Sequence, residues 1–330
     1  MNDEKLISII VPAYNSENTL ERCIQSVLHQ SIKKFVLYII NDGSTDNTIN
    51  ILMKYKNYPN IKIISKDNEG VSSARNLGLK LVNTKFVTFI DSDDYVEKNF
   101  LKHLLNGMIN ETIDMSIIGF KTIYKNKIID SNNYKTGIFS SKEGLAKILE
   151  QKGPQGYLWN KLFKVQLIKN NSLLFDNKIN MSEDLLFCVQ YLLVSKNIYI
   201  TNTMDYNYIQ NENSLSQKTS LNSTNSSYEQ AYIDFIRVLK KIENNIPINY
   251  HDAKINSRAR VGKASSDLLR AMILNESSNK ELYKEIRLNA EKNQKYVYKS
   301  SIVDFKRKIY YFLTLYFPYI VYKLDGYKFK

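Results

Sequence analysis

The sequence predicts an α/β fold: a mostly parallel, doubly wound sheet followed by a helical C-terminal appendage. Three observations predict it. Over the first hundred residues, short β-branched apolar runs alternate with segments whose apolar residues recur at helical spacing. The connections between them are about 2 to 6 residues long, which suits right-handed crossovers and helices on both faces of one sheet. Past a Ser-, Asn- and Thr-rich stretch over 211–227, the pattern is helical alone.

Taken in order, residues 7–11 (Ile-Ser-Ile-Ile-Val) form a run suited to a strand buried on both faces, ended by Pro12. Leu20, Cys23, Ile24, Val27 and Leu28 mark a helix over 17–29. A second strand over 35–40 stops at the Asp42-Gly43-Ser44 turn, and a helix over 46–55 follows with Ser44 or Thr45 near its cap. Residues 61–65 are strand three. A third helix enters through Gly70 with Ala74, Leu77 and Leu81 on one face, and strand four over 86–90 runs into Asp91-Ser92-Asp93-Asp94. Beyond these the pattern is less regular, with strands over 114–120 and 197–201 and helices over 142–150 and 183–194. The tail reads as helices over 228–242, 253–274 and 280–290. The expected domains are 1–215, in halves 1–110 and 111–215, and a basic helical region over 216–330.

Composition narrows the function. An apolar fraction of 43% with 24% charged residues excludes disordered, collagen-like and coiled-coil chains. The net charge of +13 points to an anionic partner. Residues 251–330 hold 17 basic and 8 acidic residues, so +9 of that charge lies away from the doubly wound part. Cys23 and Cys188 are too few for a disulfide framework or a cysteine zinc site. The start has no cationic n-region or apolar h-region, so an intracellular, reducing location is expected. The longest apolar stretch, 309–322, is too short to span a bilayer.

In an open parallel sheet, ligands bind beyond the carboxyl ends of the strands. The polar clusters fall there: Pro12-Ala13-Tyr14-Asn15, Asn41-Asp42-Gly43-Ser44, Asp67-Asn68-Glu69-Gly70 and Asp91-Ser92-Asp93-Asp94. Arg75 lies in the first turns after Gly70, within reach of the same rim. Alternate carboxylates at a strand end suit Mg²⁺ or Mn²⁺ completed by phosphate oxygens and water. Asp-Ser-Asp-Asp alone also reads as a solvated turn capping the next helix. Four rim clusters in register favour a metal and a phosphorylated nucleotide.

These segments, with Ala74-Arg75-Asn76-Leu77-Gly78, match in order and spacing the signatures of family 2 glycosyltransferases, which the sequence resembles over residues 5–105 and more weakly over 155–217. The resemblance implies the GT-A fold and an inverting transfer of sugar from a UDP-sugar to a glycan or lipid-linked acceptor, in the synthesis of a bacterial capsule, exopolysaccharide or cell-wall polymer. Pro12, Asp42, Asn68 and Arg75 would hold the nucleotide, with Ala13 and Tyr14 beside them. Asp91 would face the ribose or donor sugar next to Ser92, and Asp93 would ligate the metal. The bland alternatives are a strand end at Pro12, a shaped turn at Asp42 and a surface cation at Arg75.

Downstream, Ser182-Glu183-Asp184 precedes an apolar helical run. It reads as an N-cap with first-turn acids, or, by its likeness to the family's Glu-Asp pair, as the catalytic site. The resemblance makes Asp184 the base, with Glu183 orienting it or touching the acceptor. Trp159 is a candidate acceptor contact, with a core role equally open, and Tyr208 and Ser214 fall where some members close a loop on the diphosphate. The Gln-x-x-Arg-Trp signature of processive synthases is absent, so one sugar per encounter is expected.

In the tail, Lys306-Arg307-Lys308 leads into an aromatic apolar stretch that ends near Lys323. That pattern suits a segment lying on an anionic membrane surface, hence a peripheral enzyme at the inner face of the cell membrane. A helix docked on the core with a solvated rim is the other reading. Two rival functions are a non-catalytic nucleotide-sugar binder and a basic nucleic-acid-binding protein. No nucleic-acid-binding motif supports the second.

Overall fold

The computed structural model describes residues 5–125, 127–131, 134–150, 153–179, 181–210, 227–300 and 303–326. The chain forms two compact units, residues 1–145 with 156–210 and residues 146–155 with 211–330. The boundary expected near 215 therefore misplaces residues 146–155. Asn256 Nδ2 donates to the Ala146 carbonyl at 3.1 Å, and Arg260 Nε to that of Leu149 at 2.7 Å, so the C-terminal helices claim this segment.

The first unit carries β1 (Ile7–Ala13), α1 (Leu20–Leu28), β2 (Phe35–Asp42), α2 (Thr48–Met53), β3 (Ile61–Lys66), α3 (Val71–Leu81) and β4 (Phe86–Phe89). Next come β5 (Tyr95–Val96), α4 (Phe100–Asn106), β6 (Ile113–Tyr124), β7 (Lys127–Ser131), β8 (Gly137–Ser140) and α5 (Ser141–Ile148), whose last three residues fall in the second unit. It closes with β9 (Lys161–Lys164), α6 (Val165–Asn170), α7 (Glu183–Val194) and β10 (Asn197–Ile209). One sheet runs in the order β3-β2-β1-β4-β9-β6-β10-β5, with β7 on β6 and β8 on β10.

The α/β fold holds as expected, and its first four strands are parallel. Every residue of β1 and β2 is buried, which is why both read as unbroken apolar runs. The second half is mixed. β9 is antiparallel to β4 and to β6, while β6 and β10 are parallel with register shifts. The four residues of β9 begin and end on Lys, so its pattern is not that of a strand.

α1 buries Leu20, Cys23, Ile24 and Val27, as its spacing predicts. α3 does not follow its predicted face. Arg75 and Gly78 are buried, whereas Leu77 is half-buried and Leu81 is exposed. A Cβ on Gly78 would lie 2.7 Å from Ile10 Cγ2, so the glycine sets α3 directly onto β1 and turns Arg75 inward. Cys23 and Cys188 are free and buried.

The second unit contains α8 (Ser227–Asn245), α9 (His251–Leu274), α10 (Lys280–Lys299), α11 (Phe305–Tyr316) and α12 (Pro318–Gly326). α9 buries small residues such as Ala253, Ala259 and Ala264. A Cβ on Gly262 would lie 2.8 Å from Val297 Cγ2, so α10 packs closely across it. Asn279 and Asp304 cap α10 and α11 through the Leu282 and Arg307 amides. The expected linker over 211–227 lies almost wholly outside the described residues.

Gly43 closes β2 with φ of 71°, and a Cβ there would lie 2.7 Å from the Asn68 amide nitrogen. Gly43→Ala is expected to lower stability by about 1–3 kcal/mol, read as a lower urea midpoint by circular dichroism.

Candidate active site

The rim at the carboxyl ends of β1, β2 and β4 is tied together before any ligand arrives. Pro12 and Ala13 are buried at the end of β1, and Tyr14 stands half exposed beyond them. Asn15 takes a left-handed φ of 47°; its amide donates to Ser44 Oγ at 3.0 Å, and its Oδ1 accepts from the Thr45 amide at 2.8 Å. Ser16 links the same turn to the acidic run through a 2.8 Å hydroxyl pair with Ser92. Sequence reasoning quoted Asn15 only within the rim cluster and missed Ser16. The Asn side chain after a strand end, able to replace backbone partners in a tight turn, was the available signal.

Asp42 is buried and fully engaged. Its Oδ1 accepts from Lys66 Nζ at 2.8 Å and the Glu69 amide at 3.1 Å, and its Oδ2 from the Gly70 amide at 2.8 Å. It thereby shapes the turn into α3, and Asn68 stands exposed at the tip.

The run Asp91-Ser92-Asp93-Asp94 divides by role. Asp94 is completely buried, accepting from the Tyr206 hydroxyl at 2.6 Å and the Ile209 amide at 2.7 Å. Burial, then the charges of Asp93 and Asp91, push its carboxyl well above the usual range. It anchors the run to β10. Asp91 and Asp93 keep part of their surface open. Burial, then the Asp91 charge, raises the Asp93 carboxyl to about 6.

Arg75 is the junction of the site. Its Nη1 donates to Glu183 Oε1 at 2.6 Å and its Nη2 to Asp91 Oδ1 at 3.2 Å. The guanidinium carbon lies 5.6 Å from the centre of the Phe175 ring. Its Nε is buried without a hydrogen-bond partner among the described residues. α3, β4 and the start of α7 therefore converge on one cation. Nη1 and Nη2 of Arg75 each carry an ion pair to a carboxylate of the protein.

The next residue, Asn76, clamps the approach to α7. Its Oδ1 accepts from the Phe175 amide at 2.8 Å, and its Nδ2 donates to the Phe175 carbonyl at 2.9 Å. The Phe175 ring stacks on Phe187 of α7 with centroids 4.3 Å apart. The sequence offered Asn76 only within a motif, with no role, and did not single out Phe175, because the two partners lie about a hundred residues apart.

Ser182 does not cap α7 through its side chain; it adopts a left-handed φ of 62° instead. Asp184 Oδ1 accepts from the Leu185 amide at 2.6 Å. Burial and the neighbouring Glu183 charge push the Asp184 carboxyl up to about 7, against the opposing pull of Arg75.

Trp159 is not an acceptor platform. Its indole is buried in a stack between Tyr157, with centroids 4.6 Å apart, and Tyr206, at 4.3 Å, with Phe120 edge-on. Both ring faces are covered, so no sugar can lie on it. Tyr208, expected in a closing loop, belongs to β10 and stacks near the same indole. Ser214 lies outside the described residues.

Among the described residues, no group of three or more His, Cys, Asp or Glu side chains stands together as a metal cage. Asp91 and Asp93 nonetheless fit a hard cation. They are oxygen donors two positions apart, and the Asp91 charge that adds to burial in raising Asp93 is what a divalent ion relieves. The remaining ligands would have to come from substrate oxygens and water.

The sheet is parallel over β1 to β4 with polar clusters at its strand ends, and a second acidic pair stands at the start of α7. The glycosyl transferase family 2 profile matches residues 8–169. The poly(ribitol-phosphate) beta-N-acetylglucosaminyltransferase TarP of Staphylococcus aureus (strain N315) is 30% identical over 271 residues, covering 81% of this chain and 80% of that protein. The chain belongs to glycosyltransferase family 2. The crystal structure of S. aureus TarS 1-349 in complex with UDP superposes with a TM-score of 0.63 at 21% identity, over 87% of this chain and 88% of that one. A mannosyltransferase from Pyrobaculum calidifontis, solved with GDP-Man and Mn²⁺, gives a TM-score of 0.54 at 11% identity, over 98% and 88%.

Arg75→Met leaves Glu183 and Asp91 facing each other without their shared cation. The expected loss of stability is about 3 kcal/mol, measured by urea unfolding at neutral pH.

Proposed function

We propose that this glycosyltransferase moves a sugar from a UDP-sugar to a hydroxyl of a glycan or lipid-linked acceptor, with inversion, in the synthesis of a bacterial surface polymer. The observation that carries the reading is the Glu183–Arg75–Asp91 bridge, which ties the helix start that bears Asp184 to the donor rim. Support comes from the UDP seen in TarS and from the polymer acceptor in the name of TarP. The reading places the enzyme in the cytoplasm, where UDP-sugars are made.

Asp184 acts as the base. A carboxylate of ordinary basicity is a weak proton acceptor at neutral pH, whereas one raised to about 7 is well matched. It takes the proton of the acceptor hydroxyl as that oxygen bonds to the anomeric carbon and the bond to the diphosphate breaks. Glu183, fixed by Arg75, holds the first turn of α7 and keeps negative charge beside Asp184. Pro12, Ala13, Tyr14, Asn68 and Ser92 form the nucleotide-sugar cradle, on a turn framed by Asp42. A divalent cation, Mn²⁺ or Mg²⁺, bound at Asp93 with Asp91 beside it would supply positive charge to the diphosphate leaving group. Arg75 adds a fixed positive charge behind Asp91.

Calorimetric titration of UDP should show binding strengthened by Mn²⁺ and lost in Asp93→Ala. Absence of binding with and without metal would overturn the donor assignment. Asp184→Asn should keep UDP affinity while lowering turnover of the accepted UDP-sugar by roughly 10²- to 10⁴-fold. Because the base works deprotonated, the wild-type rate should rise as pH increases through about 7. A rate independent of pH in that window would remove Asp184 from the role.

A further inference from the structure

α11 is apolar on two sides. Tyr311, Thr314 and Leu315 are buried. Phe305, Ile309, Phe312 and Tyr316, spaced by four, three and four residues, form a second stripe that is exposed. Phe305 retains 78% of its surface. Past the break at Phe317, α12 continues the pattern with Tyr319, Ile320 and Leu324 exposed. The Phe312 ring meets those of Tyr316 and Phe317, with centroids 5.1 and 5.7 Å apart. An apolar surface of this extent on a soluble unit marks a contact.

The charges beside the stripe identify the contact. Lys306 and Lys323 are exposed beside it, while Arg307 pairs with Asp304 at 3.5 Å and Lys308 Nζ donates to the Tyr298 carbonyl at 2.9 Å; over 303–326 four basic residues stand against Asp304 and Asp325. Lys323 Nζ sits 4.7 Å from the Tyr319 ring centre, so cation and aromatic share one edge. A second copy of this chain would set like charges against like, whereas an anionic surface neutralises them. Aromatic rings with basic neighbours suit the boundary between lipid headgroups and acyl chains. Twelve residues of α11 span about 18 Å, and no helix among the described residues is long and apolar enough to cross a membrane.

We propose that the exposed stripe of α11 and α12 is a docking surface for anionic phospholipid, lying in the plane of the membrane with the rings inserted and the lysines at the headgroups. The inference stands apart from the donor assignment.

The test is co-sedimentation of the full chain with phosphatidylcholine vesicles, with and without phosphatidylglycerol, at low and high salt. Binding is expected only to the anionic vesicles and should weaken with salt. Lys306→Ala and Lys323→Ala should each reduce it about fivefold. Phe305→Ser with Phe312→Ser should reduce it on the order of tenfold. All four side chains are exposed, so UDP titration and thermal melting of the variants should match the wild type. Equal binding to neutral vesicles, indifference to these substitutions, or no vesicle binding overturns the proposal. A dimer in light scattering, dissolved by the Phe substitutions and joined by no vesicle binding, would assign the stripe to a second copy instead.

Discussion

A guanidinium enclosed beneath the strand ends can persist only if carboxylates come to it, and Arg75 brings two. Asp91 arrives from the end of β4 and Glu183 from the first turn of α7, two segments about ninety residues apart in sequence. Removing such a cation from water costs several kcal/mol, which its two ion pairs and the Phe175 ring offset in part. The arrangement is therefore worth more as a specification than as a source of stability. It fixes where the acidic turn at β4 stands relative to the helix that carries Asp184, and the proposed chemistry depends on that separation.

The carboxylates around this cation show how one residue type serves several ends. Asp42 and Asp94 are spent on backbone amides and on Lys66 or Tyr206, and they shape turns. Asp91 is bound to Arg75 and partly open. Asp93 and Asp184 carry raised affinities for protons, the first from burial and Asp91, the second from burial and Glu183. Environment sorts these groups, since the sequence spells all five as the same residue.

Legibility followed the range of the interactions involved. The parallel strands and α1 were plain because local periodicity encodes them, and the rim clusters were plain because each follows its own strand directly. β9 and β5 were hidden, being short and lacking alternation; β9 exists because β4 and β6 bond it on both sides, and β5 because it pairs with β10. The inward turn of Arg75 was hidden because Gly78 against Ile10, not the apolar spacing of α3, sets the rotation of that helix. Trp159 was ambiguous for a similar reason: only β10 could show that Tyr206 covers its second face. The link between residues 146–155 and the C-terminal helices rests on side chains more than a hundred residues downstream.

Trp159 is the sole tryptophan of the chain. Its stacking partner Tyr206 donates to Asp94 and accepts from the Asp91 amide. The indole is thus wired by one ring and two hydrogen bonds to the acidic turn. Its emission arises from a single, dry site fed by adjacent tyrosines, with no competing fluorophore of its kind elsewhere. The molecule carries a built-in optical reporter, placed where a change in the charge or position of that turn alters the light it returns.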